Sequence, residues 1–583
     1  MSKLLITTAD ERTWKFNQPV IFLGEWCRLY GRKNIWEPMD SIVAPPYGLE
    51  PGKKEKDRIY LSRVIDDLAG EISDALNSLH NTDYGQRFWR ILLGHWLQRF
   101  VYVSFNRYHS LGRVIEDFDI SKTIILKRSD YKLATTNTID FIWALYDDAW
   151  NNFFYSKVLP YFRKIAIEEI CCEDGVECFV SEPNASGKVS SSNHSVISKI
   201  KKSINSFSRS SDAFIISSYL PLSRVIHLQL KLKQFPAFWE SAAIPKFEYD
   251  ERFRKQLHIG TDDHQGFEHF LRSILSESIP MCFIEGFQQL LKLSDELPWP
   301  TKPKFIFTST NFDTDELFKI WTANKVEKGH KYFVGQHGNN YGTSNYSLEQ
   351  PEILTSDKFI SWGWQPENLN VIPAFILKVT NKKKIKIDKS GGLLLVQRCL
   401  HSRQTTFDNY YENIGYQKDQ FSLVSSLPKE IINKLTIRLY LHKPSNIVWG
   451  EKKRWLDFNS SLIIDDGKSS IAKLIQKSRL VIYSYDSTGI LEALALNIPT
   501  TAFWYPLLEE LLPEAVIYYR LLIKAGILFE SPEELAAHIS RYWNNIDEWW
   551  MSQDVQNARV AFCNKYAKAV KNPVGTLLDI LNN

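Results

Sequence analysis

The sequence predicts an α/β protein in which two Rossmann-like doubly wound domains face a cleft, with helical insertions in the N-terminal half. Three observations predict it. From about Lys304 onward, short apolar runs alternate with stretches at helical spacing, the pattern of a parallel sheet wound with helices. The series breaks once, at the solvated lysines Lys382, Lys383, Lys384, Lys386 and Lys389, and Gly391-Gly392 then opens a second series. Polar segments stand at the ends of four of the predicted strands, where open parallel sheets bind ligands. The boundaries that follow are residues 1–385, with helical insertions over about 50–300, and residues 390–583.

Taken in order, Lys3–Thr7 reads as a first strand, followed by the polar turn Thr8-Ala9-Asp10-Glu11-Arg12. Pro19–Leu23 reads as a second, ending in Gly24-Glu25-Trp26-Cys27. Ile65, Leu68, Ile72 and Leu76 recur at helical spacing, and Trp89, Leu92, Leu93, Trp96 and Phe100 mark a second helix. Ser181–Ser211 is serine-rich and reads as a mobile surface loop. Its Ser186-Gly187-Lys188 is not a phosphate-binding loop, because Glu182 stands where the first glycine is needed. Phe214–Leu222 is a further apolar segment or strand. Ile226, Leu228, Leu230 and Leu232 alternate with polar residues and predict a half-buried strand.

The second half is more regular. Phe305–Phe307, a helix over Thr314–Ala323 and Tyr332–Val334 lead into Gly335-Gln336-His337-Gly338, and Phe359-Ile360-Ser361-Trp362-Gly363-Trp364 follows. After the lysines, the predicted strands are Leu393–Val396, Thr436–Leu441, Ser461–Ile464, Leu480–Tyr483 and Thr501–Trp504.

Composition excludes several classes. A formal charge of +4 over 583 residues is too small for a nucleic-acid footprint, and the basic residues are scattered, so nucleic acid is not an expected partner. The seven cysteines are odd in number and unevenly spaced, unlike a disulfide framework, which points to a reducing cytoplasm. Cys171, Cys172 and Cys178 lack the paired spacing of a zinc site. Met1-Ser2-Lys3 leads only into the short apolar run Leu4-Leu5-Ile6, which does not read as a signal peptide. No apolar run is long enough to span a bilayer, so membrane association is expected to be peripheral.

Chemistry concentrates at the strand ends. Ser484 to Gly489 joins a strand to a helix whose apolar face is Ile490, Leu491, Leu494 and Ala495. Ser487 or Thr488 can cap that helix, which leaves free N–H groups and the positive end of the dipole facing an anion. The same segment also fits an ordinary capped helix. Glu492 lies one turn inside, within reach of sugar hydroxyls. Gln397, Arg398, His442 and Lys443 stand after two other strands, where the basic side chains can neutralise a diphosphate. His337 lies between Gln336 and Gly338, and the flanking glycines let a ligand approach the backbone. It suits a general base, a general acid or a hydrogen-bond donor to phosphate. Glu11 and Glu25 each follow a predicted N-terminal strand and are candidate bases, with a plain surface carboxylate as the alternative for each. Asp313-Thr314-Asp315 and Asp465-Asp466-Gly467 fit turn and capping chemistry as well as metal binding, and no metal or cofactor is assigned.

These residues resemble a known architecture, the glycosyltransferase B (GT-B) fold. Thr7-Thr8 with Glu11 and Thr13-Trp14, Pro19-Val20, and Phe22 to Cys27 resemble a bacterial transferase family of O-antigen and surface-carbohydrate biosynthesis loci. Gly335 to Gly338, Ser361-Trp362-Gly363 and Ser484 to Glu492 fit the same resemblance along the whole chain. A looser similarity runs to transferases of the glycerol-phosphate polymer type and capsule-type sugar transferases, through His337-Gly338, His442, and Ser487-Thr488 with Glu492. Lys443 separates His442 from Pro444, and Glu492 stands where the glycerol-phosphate group has aspartate, which favours a nucleotide-activated sugar over a polyol-phosphate donor.

The resemblance implies a cytoplasmic glycosyltransferase, peripheral on the inner-membrane face, that takes a nucleotide-sugar donor and a glycan or lipid-linked glycan acceptor. Its C-terminal domain would bind nucleotide through Gln397, Arg398, His442, Lys443, Ser484, Ser487, Thr488, Gly489 and Glu492, with Gln336 and Gly338 opposite. His337, Glu11 and Glu25 would be the catalytic candidates. The alternatives are a nucleotide-sugar epimerase of the same fold, a polyol-phosphate transferase and a non-catalytic glycan-binding protein.

Overall fold

The computed structural model describes every residue except 1, 51, 129–130, 163–164, 173–203, 261–263, 368, 380–384, 408–411, 442–448, 506–507 and 583. His442, Lys443, the lysines 382–384 and most of the serine-rich stretch therefore lie outside the described residues.

Among the described residues the chain builds three parallel sheets. The first joins β1 (Lys3–Ile6), β2 (Val20–Phe22), β3 (Ser41–Val43), β4 (Ile120–Lys127) and β5 (Ala166–Cys171) in the order β3-β2-β1-β4-β5. The second joins β6 (Phe214–Ile216), β7 (Ile306–Thr308), β8 (Tyr332–Gly335), β9 (Lys358–Ser361) and β10 (Val371–Pro373) in the order β10-β9-β8-β7-β6. The third joins β11 (Gly392–Val396), β12 (Leu435–Arg438), β13 (Ile463–Asp465), β14 (Ser478–Tyr483), β15 (Thr500–Phe503) and β16 (Leu528–Phe529) in the order β13-β12-β11-β14-β15-β16. The strands β2, β7 and β15 are buried at every residue, as strands covered on both faces are.

The α/β class with several parallel sheets is as expected, and the structure adds a sheet. β4 and β5 lie within the stretch read as helical insertion, so residues 1–172 carry a sheet of their own. Two long helices, Lys53–His80 and Gln86–Asp117, fall where the aromatic and leucine spacing predicted them and pack on each other. The second is buried on nearly all sides because it runs between the first-sheet helix Asp148–Val158 and the second-sheet helix Glu316–Glu327.

One strand prediction is overturned. Ile226, Leu228 and Leu230 belong to the helix Leu222–Lys231, which Leu232 caps, and in it Leu228 and Gln229 are buried while Leu222 and Leu230 face outward. Alternation over four apolar residues also satisfies a helix whose buried face is narrow. That face meets the last helix of the chain, Pro573–Asn582, which returns to the second sheet. Among the described residues no helix is long and apolar enough to cross a membrane.

Candidate functional site

In the third sheet the strand order reverses between β11 and β14, so the loops that leave these strands open a crevice at their carboxyl ends. The turn after β14 is clamped into it. Ser484 donates from its amide and its hydroxyl to the Val396 carbonyl on β11, at 3.2 and 3.0 Å. With its own proton spent, the Ser484 hydroxyl accepts from the Tyr416 hydroxyl at 2.5 Å. The Tyr416 oxygen in turn accepts from the Arg398 amide at 3.2 Å, and the Arg398 guanidinium lies over the Tyr416 ring, 4.6 Å from its centroid. Arg398 and Ser484 are thus brought together through Tyr416.

The helix Thr488–Ala495 then begins. Ser487 is its cap, accepting from the Ile490 amide. The Thr488 and Gly489 amides lie in the first turn, where no intrahelical carbonyl reaches them. A Cβ on Gly489 would fall 2.4 Å from the buried Tyr483 ring, so only glycine lets the helix settle this close to β14.

The loop after β8 meets this turn directly. The Asn339 amide donates to the Thr488 hydroxyl at 3.1 Å, and the Asn339 side chain donates to Asp486. Asp486 also accepts from Tyr519 at 2.8 Å, and burial raises its carboxyl to about 6. Gly338 approaches so closely that a Cβ would lie 3.4 Å from the Thr488 oxygen. Further into the helix, Glu492 pairs with Lys378 at 2.8 Å, and Lys378 sits over the Tyr219 ring that flanks His337.

His337 is half-buried between Phe312, Tyr219 and Tyr341. Burial lowers its imidazole below the usual range, against an opposing pull from Asp313, so the ring is neutral near pH 7. Nδ1 lies 3.2 Å from the Tyr341 hydroxyl, and Nε2 makes no hydrogen bond among the described residues.

The remaining predicted residues divide. Gln336 is buried and its amide is used internally: it donates to the Gly338 carbonyl and accepts from the Trp362 amide and the Trp364 indole, each at 2.8 Å. Gln397 is likewise buried, bonded to Gln420 and the Trp455 indole. Both amides shape the crevice from behind. Glu11 follows β1 and is held by both arms of Arg32 at the surface. Glu25 follows β2, pairs with Arg28 at 2.5 Å, and lines an apolar cavity of about 230 Å³ with Trp26, Val43, Ser402, Asn413 and Trp449. Asn413 also accepts from Arg398, so this first-sheet cavity adjoins the crevice. Asp315 and Asp465 serve as cap and turn residues, bonded to the Phe318 and Gly467 amides.

Sequence reasoning missed Asn339, Tyr341, Glu352, Asp486 and Lys378. Asn339 and Tyr341, next to His337-Gly338, and Asp486, inside Ser484–Gly489, stood close enough in the chain to be found by proximity.

Solved structures align at low similarity. The wall teichoic acid polymerase TagF soaked with CDPG is 11% identical over 65% of this chain and 89% of its own, with a TM-score of 0.32. A UDP-GlcNAc 2-epimerase from Neisseria meningitidis, bound to UDP-GlcNAc, is 15% identical over 51% and 82%, at 0.31. MurG from Acinetobacter baumannii is 10% identical over 64% and 99%, at 0.32. No curated protein matches the chain. The model of the LIC12162 family transferases matches residues 3–581, nearly the entire sequence, and the chain belongs to that family of transferases.

Proposed function

We propose that the protein is a metal-independent glycosyltransferase that moves a sugar from a nucleotide-activated donor to a surface-polysaccharide acceptor of O-antigen or capsule type. The observation that carries the reading is the meeting of the loop Gly335–Asn339 with the capped turn Ser484–Gly489 through Thr488. It sets a neutral histidine opposite a helix N-terminus in one crevice.

On this reading the third sheet, in residues 390–583, holds the donor and residues 1–385 present the acceptor. The leaving diphosphate sits on the first amides of the helix Thr488–Ala495, with Arg398 beside it. Such preoriented donors stabilise charge that develops on the leaving group without reorganising. His337 accepts the proton of the attacking hydroxyl, and Glu492 accepts hydrogen bonds from sugar hydroxyls in exchange for Lys378. Glu25, in the adjoining cavity, faces the acceptor. The site lies on the cytoplasmic side, with the acceptor's lipid, where it has one, in the membrane beside it.

Thermal shift against uridine, cytidine and guanosine diphosphates tests the reading. A ligand at a hundred times its Kd stabilises the native state by about 2.7 kcal/mol. One of the three should raise the wild-type Tm, and the double variant Ser487→Ala/Thr488→Ala should lose that shift while keeping its far-UV spectrum. His337→Ala should keep the shift and lose turnover. An equal shift in wild type and double variant would refute the donor site. Conversion of donor without any acceptor would identify an epimerase instead.

A further inference from the structure

Behind His337 lies a buried line of ionisable groups that the proposed reaction does not use. The Tyr341 hydroxyl touches two partners, His337 Nδ1 at 3.2 Å and Glu352 Oε1. Glu352, on the short helix Pro351–Thr355, is 2% exposed. Its second oxygen lies 3.4 Å from Nε2 of the buried His95, and neither of these two atoms makes a hydrogen bond among the described residues. Asp313 is held by both arms of Arg99, at 2.6 and 2.9 Å. Tyr341 is therefore the only side chain that donates a hydrogen bond to Glu352 among the described residues.

A phenol has one proton to give. With Glu352 ionised, that proton points at the carboxylate, the phenol oxygen can only accept, and His337 must carry its proton on Nδ1. Nε2 is then bare. With Glu352 protonated, the carboxylic acid donates to Tyr341, the phenol proton turns to His337 Nδ1, and the ring proton stands on Nε2. The bookkeeping closes at one proton taken up by Glu352, while the ring loses one proton at Nδ1 and gains one at Nε2.

We propose that Tyr341 and Glu352 are positioning residues that set the tautomer of His337, leaving Nε2 free as a base only while Glu352 is ionised. This rests on the reading of His337 as the base. The groups facing Glu352 are Tyr341 from the loop after β8, His95 and Arg99 from the helix Gln86–Asp117, Asp313 from the loop after β7, and Tyr332 from β8. Burial raises the Glu352 carboxyl to about 7; its bond from Tyr341 opposes the rise, Asp313 adds to it, and Arg99 opposes it. Burial holds His95 down to about 3, so His95 stays neutral through this range. The reversal therefore falls near neutrality.

The test is nitrogen NMR of protein labelled at the histidine rings, titrated from pH 5.5 to 8.5, with the His337 signal identified by its loss in His337→Asn. The expected result is a His337 proton on Nδ1 above about pH 7 and on Nε2 below it. Glu352→Gln, whose amide does not titrate, should hold the His337 tautomer constant across the range, and Tyr341→Phe should leave a pH-independent mixture. In turnover, wild-type kcat should rise through about pH 7 at constant donor KM. Glu352→Gln should flatten that profile, because the group that titrates is gone. A wild-type tautomer that ignores pH, or a Glu352→Gln variant that titrates like wild type, overturns the inference. Full turnover by His337→Asn would instead refute the base assignment. An inactive His337→Asn beside a Glu352→Gln variant with the wild-type tautomer and pH profile would refute the tautomer switch alone.

Discussion

Tyr483 and Gly489 show how one residue constrains the crevice. The ring of Tyr483 fills the space where any side chain at 489 would go. Gly489→Ala should drive the ring or the helix aside and cost about 1–3 kcal/mol, read as a lower urea midpoint, together with weaker nucleotide binding. An unchanged midpoint would mean that the ring yields freely. At this scale the sequence was informative about caps and strand ends, and Ser487 caps the helix as its spacing suggested. It did not record which way amides turn: Gln336 and Gln397 stand beside His337 and Arg398 in the chain and were expected with them at the nucleotide, yet both point inward to buried indoles. Which way a side chain turns at a strand end depends on packing that neighbouring residues do not encode.

The helix Gln86–Asp117 carries the consequences of burial at the scale of an element. It supplies His95 and Arg99 behind the site and, further along, His109, whose ring stacks on Tyr47 and packs against Phe105. Burial, aided by Lys53, lowers His109 to about 4, against about 6.5 in an unfolded chain. Between these values the unfolded state binds a proton that the native ring does not, so stability is lost as pH falls from 6.5 to 4. The loss attributable to this ring is about 3 kcal/mol at most. His109→Phe keeps the stacking and removes the titration, so its stability should fall less steeply over that window in urea melts. Parallel wild-type and variant profiles would show that the ring protonates without cost. The helix itself was legible from its apolar spacing, whereas its polar residues matter only because two sheets close around it. The helix Leu222–Lys231 was misread for a related reason: its apolar residues alternate, and only its partner helix decides which of them are buried.

At the scale of the whole molecule, the last helix ties the chain's end to its middle. Pro573–Asn582 leaves the third sheet and packs on Leu222–Lys231, where Val574, Leu577 and Leu581 are buried. Asn582 accepts from Lys304, and the Ile580 carbonyl from Lys358. Deleting residues 572–583 should remove roughly 5 kcal/mol of apolar burial and open the segment around Lys231 to trypsin. An unchanged cleavage pattern would mean that the second sheet stands without this helix.

By itself the sequence determined the α/β class, most strands of the second and third sheets, and the segments around His337 and Ser484–Gly489. These are local properties of apolar period, capping chemistry and turn composition, which the chain carries within about ten residues. The tertiary structure alone decided that a further parallel sheet stands at the N-terminus, that Asn339 reaches Thr488, and that Tyr341 joins His337 to Glu352. Those outcomes join residues from separate strands and helices. Burial then changes their chemistry: the ionisation of Glu352 is set by the removal of water and by groups on other elements, and no local pattern in the chain records either.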